Sequence, residues 1–378
     1  MAAARAASCP CWRAATSSTR SRTRRRRTSG RSPPAPPEPS GPTLGHRQRH
    51  AALRIRDCAT ALQGALRLGR GARLSRWARH PGRGDRAPGL YARTVVSGEA
   101  HGVVRVERAS DGTLALTVVG PFHDAATRAA RLFDLDADPD AVGATLSADP
   151  FMAGLVEARP GMRVPGAWDG FELAVRAILG QQVSVAAATR LAGKLVATFG
   201  MPLTPLGDVA ERGLTHVFPS PKALVDADVA LALNMPRARG AAIRAVAAAV
   251  LAEPDLFDPG QGLAVAVARL KALRGIGDWT AHYVAMRALR EADALPTGDI
   301  GLLRALEDEA GRPTAKALEA RSAAWRPWRS YAVLHLWAHD AARTAAAPRP
   351  PKTRATTKMI PEQGAGCGPR EARAKVSP

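Results

Sequence analysis

The side chains in this sequence best suited to chemistry are one carboxylate and a small set of aromatic residues. Asp299 stands in the short segment Leu-Pro-Thr-Gly-Asp-Ile-Gly, at the expected start of a helix. Trp279 and Tyr283 are four residues apart, which places them on one helix face, and Trp337 follows later in the chain. Ring faces around a carboxylate would suit a flat, electron-poor ring. The alternatives are that the rings fill the core and that Asp299 only caps its helix.

A second pattern, over Leu270–Ala281, predicts two helices joined by a tight glycine turn. Gly275 and Gly277 allow positive φ angles and let another molecule approach the backbone closely. The first N–H groups of the second helix would point outward at the positive end of the helix dipole, which suits a phosphate. The alternative is a glycine-terminated helix followed by an ordinary N-cap, supplied by Asp278 or by the turn itself.

The elements that must position these residues fall into two groups. Three stretches predict strands, with a turn at Asp111-Gly112: Tyr91–Val96, Gly102–Glu107 and Leu114–Val119. A helix over Asp124–Phe133 and an acidic loop over Asp134–Asp140 complete a small α+β unit. The remainder is almost wholly helical. The predicted helices are Gly170–Phe199, Pro221–Leu233, Ala238–Leu251, Leu263–Leu273, Asp278–Leu289, Ile300–Glu309, Thr314–Ala323 and Pro327–Ala342.

We therefore predict an α+β protein in which a small N-terminal domain with an antiparallel sheet precedes a mainly α-helical helix-hairpin-helix body. Residues 1–50, rich in Arg, Ser and Pro, are expected to be disordered. Residues 51–90 contain no clear element and leave the start of the N-terminal domain poorly defined. The α+β domain is expected over 91–160, the helical body over 161–342 and a disordered tail over 343–378.

The strong positive charge of the chain is confined to its ends. The net charge is +21, but residues 1–95 carry +18 and residues 341–378 carry +6, which leaves −3 for residues 96–340. Arginine also outnumbers lysine 47 to 7, which base composition in the coding DNA can explain. The overall charge is therefore weak evidence for nucleic-acid binding, and any such case must rest on local motifs.

The distribution of cysteine and apolar residues excludes several classes of protein. All four cysteines lie outside residues 59–366, which excludes a disulfide framework or a cysteine-ligated metal cluster in the middle of the chain. No apolar run approaches the roughly 18 residues of a membrane span. The arginine-rich start lacks an apolar signal region, although an organelle transit peptide remains an alternative. We expect a cytoplasmic protein with no membrane association.

Four motifs in this order resemble a known family. The hairpin, the Asp299 loop, the segment Trp325–Tyr331 and the segment Leu179–Val185 resemble the helix-hairpin-helix glycosylases with a Gly/Pro-rich loop and a catalytic Asp, the HhH-GPD superfamily. Within it, residues 91–341 are similar to the bacterial inducible 3-methyladenine DNA glycosylase II enzymes of the AlkA type. The resemblance implies a DNA repair hydrolase that flips an alkylated base out of the duplex and removes it.

Carried over position by position, the resemblance implies roles for individual residues. Asp299 would be the catalytic carboxylate. Gln182 would stand where the family inserts a wedge side chain, and a polar residue there departs from the apolar wedge of the AlkA type. The base pocket would be lined by Trp279, Tyr283 and Trp337. The hairpin would contact DNA through Leu273, Gly275, Gly277 and Thr280. A monovalent cation would bind at the backbone of Leu273 and Gly275.

Two absences point to a subclass. Glycosylases of this superfamily that also cleave the DNA strand carry a nucleophilic lysine at the position of Trp279, so a monofunctional hydrolase is expected. The iron–sulfur branch needs four cysteines after the catalytic Asp, and this sequence has Cys367 alone. No cofactor is expected. The Cys9, Cys11 and Cys58 set does not provide the zinc site of an N-terminal methyl-acceptor module.

The expected partner is double-stranded DNA containing alkylated bases of the 3-methyladenine and 7-methylguanine type, bound by a monomer. Three alternatives stay open from the residues. The first is a glycosylase for another lesion, such as uracil, hypoxanthine or an oxidised purine. The second is a helix-hairpin-helix module that binds DNA without catalysis. The third is a helical interaction protein with basic tails.

Overall fold

The sheet comes first in the chain. The computed structural model describes residues 49–51, 90–108, 114–203 and 214–346. Within them the sheet has the order β1-β4-β3-β2, and every neighbouring pair is antiparallel. Its strands are β1 (Arg49–Ala51), β2 (Leu90–Ser97), β3 (Ala100–Arg108) and β4 (Leu114–Val119). The antiparallel sheet is confirmed, and the bounds of β4 agree with the prediction.

Both predicted tails need a correction at their inner ends. Arg49 and His50 belong to β1, although residues 1–50 were expected to be disordered, and Ala51 continues the strand. The last helix extends to Ala346, four residues into the expected tail. The turn predicted at Asp111-Gly112 lies outside the described residues, as do residues 1–48, 52–89 and 347–378.

One face of the sheet packs on a helix to form the core of the N-terminal domain. Val104 and Val106 of β3 and Leu116 of β4 are buried there with Phe122. Alternate residues along β4 point to this core, as the period of two in a strand requires. The helix is α1 (Ala125–Leu132), which lies within the predicted span. A second, smaller cluster is buried apart from this core and contains Val103, Val119 and Leu214.

Twelve further α-helices follow α1 in the described residues. They are α2 (Pro139–Leu146), α3 (Pro150–Ala158), α4 (Gly170–Leu179), α5 (Val185–Phe199), α6 (Pro221–Leu224), α7 (Val229–Leu233), α8 (Arg237–Ala252), α9 (Leu263–Lys271), α10 (Asp278–Arg287), α11 (Ile300–Ala305), α12 (Ala315–Arg321) and α13 (Arg329–Ala346). A short 3₁₀ turn over Ser322–Trp325 links α12 to the final segment. The mainly helical body is confirmed.

Two predicted helices are in fact pairs. The stretch Gly170–Phe199 breaks after Leu179, and the hydroxyl of Ser184 accepts a hydrogen bond from the Ala187 amide to start α5. The stretch Pro221–Leu233 is likewise two short helices, the second capped by Asp228. In both cases the apolar periodicity continues across a break that the capping residue creates.

Helices α2 and α3 were missed by the sequence analysis. Each begins with an aspartate that accepts backbone hydrogen bonds, Asp138 and Asp149, followed directly by a proline in the first turn. This Asp-Pro signature is a standard helix start, because proline is pre-set for the first helical position.

The core of the body is built around α4, which is buried along nearly its whole length. Its neighbours are α5, α8 and α10. Ile178 and Leu179 are fully buried at its C-terminal end. Because α4 is buried and contacts α10, its packing positions both the turn that follows it at Gly180 and the hairpin of α9 and α10. Among the described helices, none is long and apolar enough to cross a membrane.

Candidate active site

Asp299 lies at the junction of the α10–α11 loop and the first turn of α11. Its Oδ1 atom accepts a hydrogen bond from the Leu302 amide at 2.9 Å, so the residue is an N-cap as well as a candidate catalytic group. The Asp299 side chain is half-buried. The N-cap interpretation and the catalytic one are therefore compatible, because one lone pair fixes the carboxylate and the remaining ones face the aromatic residues.

Two indole groups converge on this carboxylate. Trp279 Nε1 donates to Asp299 Oδ2 at 2.7 Å, and Trp337 Nε1 donates to Asp299 Oδ1 at 3.0 Å. These bonds bring together α10, α11 and α13. The carboxylate is thus held in one orientation by donors that carry no net charge, which leaves its own negative charge in place.

The three predicted aromatic residues form one cluster, with Tyr283 in the middle. The rings of Trp279 and Tyr283 stack at 5.1 Å between centroids and 7° between planes. Tyr283 and Trp337 are tilted by 49° at 6.4 Å. Tyr283 is only 3% exposed, whereas both tryptophans are partly exposed. The two indoles therefore supply the accessible ring surface, and Tyr283 supports Trp279 from below.

Residues that the sequence analysis did not select hold this cluster from behind. Arg287 donates to the Tyr283 hydroxyl at 2.8 Å and also lies over its ring. His282 Nδ1 accepts the Leu295 amide at 3.2 Å and so anchors the loop that leads to Asp299. Burial lowers the pKa of His282 below its ordinary value, which keeps the ring neutral and able to accept this bond. Its spacing three residues after Trp279 is the signal that was available.

The hairpin has the predicted helix, glycine turn and helix arrangement. Gly275 has φ +85°, and a Cβ there would lie 2.5 Å from Cβ of Ala242 on α8. Gly277 is the N-cap of α10, and no side chain caps that turn. Asp278 pairs instead with Lys271 at 2.9 Å, so the turn itself provides the cap. The first backbone N–H groups of α10 are left for an outside acceptor.

The predicted wedge lies beside this hairpin. Gln182 is exposed in the turn between α4 and α5 and adopts φ +55°. Its neighbour Gln181, which the sequence analysis passed over, donates through Nε2 to the Gly275 carbonyl at 3.1 Å. Arg239 on α8 donates to the Gln181 carbonyl at 2.8 Å. The turn and the hairpin are therefore fixed relative to each other by direct polar contacts.

Three hairpin residues with an expected role, Leu273, Gly275 and Thr280, accept hydrogen bonds from within the protein. Gly275 O accepts the Gln181 amide, and Leu273 O accepts the Ile276 amide at 3.1 Å. Each of these carbonyl oxygens thus accepts one N–H donor and keeps a second lone pair, so the cation expected at Leu273 and Gly275 stays a prediction. Thr280 is 3% exposed, and its hydroxyl faces Gln181 at 3.3 Å, so its side chain is not on the surface.

Two family models match successive parts of this chain. A model described as the AlkA N-terminal domain matches residues 81–169, and a model described as the HhH-GPD superfamily base excision DNA repair protein matches residues 175–330. The solved 3-methyladenine DNA glycosylase from Archaeoglobus fulgidus has the same fold, with a TM-score of 0.60 and 20% identity over 78% of this chain and 98% of that one.

Two curated relatives are similar in sequence. A Mycobacterium tuberculosis protein named "Probable bifunctional transcriptional activator/DNA repair enzyme AlkA" is 41% identical over 68% of this chain, which spans only 51% of that relative's length. The Escherichia coli protein named DNA-3-methyladenine glycosylase 2 is 34% identical over 66% of this chain and 86% of its own length. The chain belongs to the HhH-GPD superfamily of base excision DNA repair proteins, in its AlkA-type branch.

Proposed function

We propose that this protein is a monofunctional DNA glycosylase that hydrolyses the N-glycosidic bond of alkylated bases of the 3-methyladenine and 7-methylguanine type. The observation that carries the proposal is the Asp299 carboxylate held by two indole N–H donors at the edge of an aromatic cluster. The names of the relatives from E. coli and M. tuberculosis support the same class of reaction.

The chemistry of the substrate fits the aromatic cluster. A purine alkylated at a ring nitrogen carries a positive charge, and a cation over an indole face gains about 0.5–2 kcal/mol, more as the contact is desolvated. The partly exposed rings of Trp279 and Trp337 offer such faces. The same charge weakens the glycosidic bond, so the base leaves with little help from a general acid.

The role of Asp299 is then electrostatic. As the bond to the base breaks, the sugar acquires positive charge, and a fixed carboxylate close to it stabilises that charge without having to reorganise. The same group can orient the attacking water. The donors from Trp279, Trp337 and Leu302 hold the carboxylate in place before the substrate arrives.

Access to the base requires that the nucleotide leave the helix, at a cost of a few kcal/mol. Gln182, which is exposed in its turn, would fill the gap in the duplex. The open first turn of α10 would grip a backbone phosphate. Since Gln181 links the two, the wedge and the phosphate grip act on the duplex in a fixed register.

The expected outcome is base release alone, without strand cleavage. A glycosylase that also cleaves the strand needs an amine to form a Schiff base. Trp279 fills the corresponding position, and its side chain is engaged with Asp299. We further propose that the protein acts on duplex DNA as a monomer. We also propose that it acts in the cytoplasm, where thiols stay reduced, because residues 59–366 contain no cysteine for a disulfide framework. Gel filtration with light scattering tests the monomer.

The proposal is tested by incubating the purified protein with methylated duplex DNA and identifying the released bases. Asp299→Asn keeps the N-cap, because asparagine caps helices as well as aspartate does. It removes the charge, and we expect base release to fall by at least about 100-fold, of the order seen when one electrostatic group is lost. DNA affinity should be retained.

Asp228→Asn is the matched control, because Asp228 caps α7 through the same type of bond, to the Leu231 amide at 3.0 Å. It should release bases at the rate of the parent protein. Unchanged release by Asp299→Asn would exclude Asp299 from the role. Base release from a panel of duplexes that contain uracil, hypoxanthine or an oxidised purine tests the alternative that the protein is a glycosylase for another lesion. Binding without release of any base would identify a non-catalytic module.

A further inference from the structure

A partly buried ion pair lies next to the candidate catalytic carboxylate, and neither of its members belongs to the site described above. Arg304 in α11 forms a two-pronged salt bridge with Asp340 in α13, with both N···O distances at 2.5 Å. Asp340 is buried, and the Arg304 side chain is 43% exposed. The pair crosses the same helix interface as the bond between Asp299 and Trp337.

The two carboxylates are neighbours across Gly301. A Cβ at this glycine would lie 2.9 Å from Oδ1 of Asp299 and 3.7 Å from Oδ2 of Asp340. Asp299 caps α11 and Arg304 lies in the last turn of that helix. Trp337 and Asp340 are three residues apart on one face of α13. Two aspartates of opposite environment therefore border one small gap between α11 and α13.

Asp299 and Asp340 differ in the charge of their hydrogen-bond donors. Within the described residues, the hydrogen bonds to the Asp299 carboxylate come from two indoles and one backbone amide, and none of these donors carries a net charge. The carboxylate of Asp340 accepts two hydrogen bonds from the charged guanidinium of Arg304. The hydrogen bonds to Asp340 raise the pKa of Arg304, and the negative charge of Asp299 raises it further by a smaller amount. The guanidinium therefore lies close enough to interact electrostatically with both carboxylates.

We propose that Asp340 is a positioning residue that holds the Arg304 guanidinium away from Asp299 and so keeps the negative charge of Asp299 available to the substrate. This inference rests on the proposed glycosylase function. A direct ion pair with Arg304 would offset the charge that Asp299 has to present to the sugar. Helix side chains lean toward the helix N-terminus, and Asp299 caps that end of α11.

The test uses Asp340→Asn, Asp340→Glu and the double variant Asp340→Asn with Arg304→Met. Removing the charge of Asp340 alone frees the cation, and we expect single-turnover base release to slow by at least about tenfold, with the Kd for duplex DNA within about twofold. Asp340→Glu keeps the anion and should retain most of the rate. In the double variant the freed cation is absent, and release should recover to within about threefold of the parent.

A purely structural tie between α11 and α13 predicts the opposite ranking. The double variant would then be at least as slow as Asp340→Asn, because the bond between the helices is missing from both, and that result would overturn the proposal. Asp124→Asn is the matched control, since it removes the acidic partner of the exposed pair with Arg128 at 2.6 Å. It should leave both the rate and the Kd unchanged.

A crystal structure of Asp340→Asn gives a readout that does not depend on activity. We expect the Arg304 guanidinium within 4 Å of the Asp299 carboxylate in that variant. A guanidinium that stays away from Asp299 would contradict the proposal. If the parent protein releases no base from methylated DNA, the proposed function fails, and the crystal structure still decides whether Asp340 restrains Arg304.

Discussion

Among the described residues, the side-chain carboxylate of Asp299 accepts three hydrogen bonds, and the chemistry of those three donors explains how it can both start a helix and stabilise positive charge. The Leu302 amide and the Trp337 indole share Oδ1, while the Trp279 indole takes Oδ2. Uncharged donors fix the orientation of an anion without neutralising it. A charged donor at the same place would bind more strongly and leave less field for the substrate.

At this scale we predict that Trp337→Phe slows base release by about tenfold while Trp328→Phe does not. Phenylalanine keeps an aromatic ring but loses the N–H donor to Asp299, and a hydrogen bond to a charged group contributes about 1.5–3 kcal/mol. The ring of Trp328 packs edge-on against Tyr331 instead. Single-turnover release from methylated duplex measures both, and a binding assay separates rate from affinity. Equal rates for the two variants would remove the Trp337 bond from the mechanism.

At the scale of elements, the hairpin depends on where its backbone is placed. The turn after α9 approaches α8 so closely that a side chain at position 275 has no room, and its carbonyl receives Gln181 from the turn after α4. Three separate segments thus meet at one glycine. The position of the hairpin backbone, and so the geometry of any contact it makes with DNA, depends on the packing of α8 and α10 on α4.

The two glycines of the hairpin should respond differently to substitution by alanine. Gly275→Ala puts a Cβ at a φ of +85° and 2.5 Å from Cβ of Ala242, so we expect the free energy of unfolding to fall by more than about 1 kcal/mol. Gly277 has φ −86°, and nothing lies within 4 Å of a Cβ built there. Gly277→Ala should therefore leave stability nearly unchanged. Urea unfolding of both variants measures the difference, and similar losses would contradict the close approach of the turn to α8.

The same packing explains which elements were predictable from the sequence. Strand β4 was correct to the residue, because the alternating burial along most of this strand leaves a period of two in the sequence. The break between α4 and α5 was missed because apolar residues continue through it, and only the Ser184 cap marks it. The missed helices α2 and α3 had a local signal in Asp138-Pro139 and Asp149-Pro150.

The site itself was predictable only in part. The types and order of Trp279, Asp299 and Trp337 were enough to place them together, and the structure does so. The burial of Tyr283 beneath Trp279 could not be predicted, because residue spacing gives the helix face and not the ring orientation. The pairing of Arg304 with Asp340 depends on how α11 meets α13, which local sequence does not encode.

At the scale of the whole molecule, several buried ionisable groups connect stability to pH. His335 on α13 is 2% exposed, its Nδ1 atom has no partner among the described residues, and it bonds to the backbone of Leu155 on α3. Burial lowers its pKa from 6.5 to about 4. Burial also lowers the pKa of His282 and of His339, and it raises the pKa of Asp169, which acts in the opposite sense.

The sign of the effect follows from which state binds the proton. Above pH 6.5 His335 is neutral in both states, and its contribution to stability is complete. Between pH 6.5 and about 4 the unfolded chain binds a proton at this site and the folded chain does not, so the free energy of unfolding falls as the pH is lowered. The slope is about 1.4 kcal/mol per pH unit for one fully differential group, which makes the loss roughly 3 kcal/mol over the interval.

We therefore predict that His335→Gln flattens the dependence of unfolding free energy on pH between 6.5 and 4, because glutamine keeps a hydrogen-bond donor and does not titrate. Urea unfolding at a series of pH values measures this slope for the parent and the variant. His123→Gln is the matched control for replacing a histidine by glutamine, since His123 is exposed and lies two residues before α1. Parallel curves for the parent and His335→Gln would show that His335 titrates alike in both states, contrary to its burial between α13 and α3.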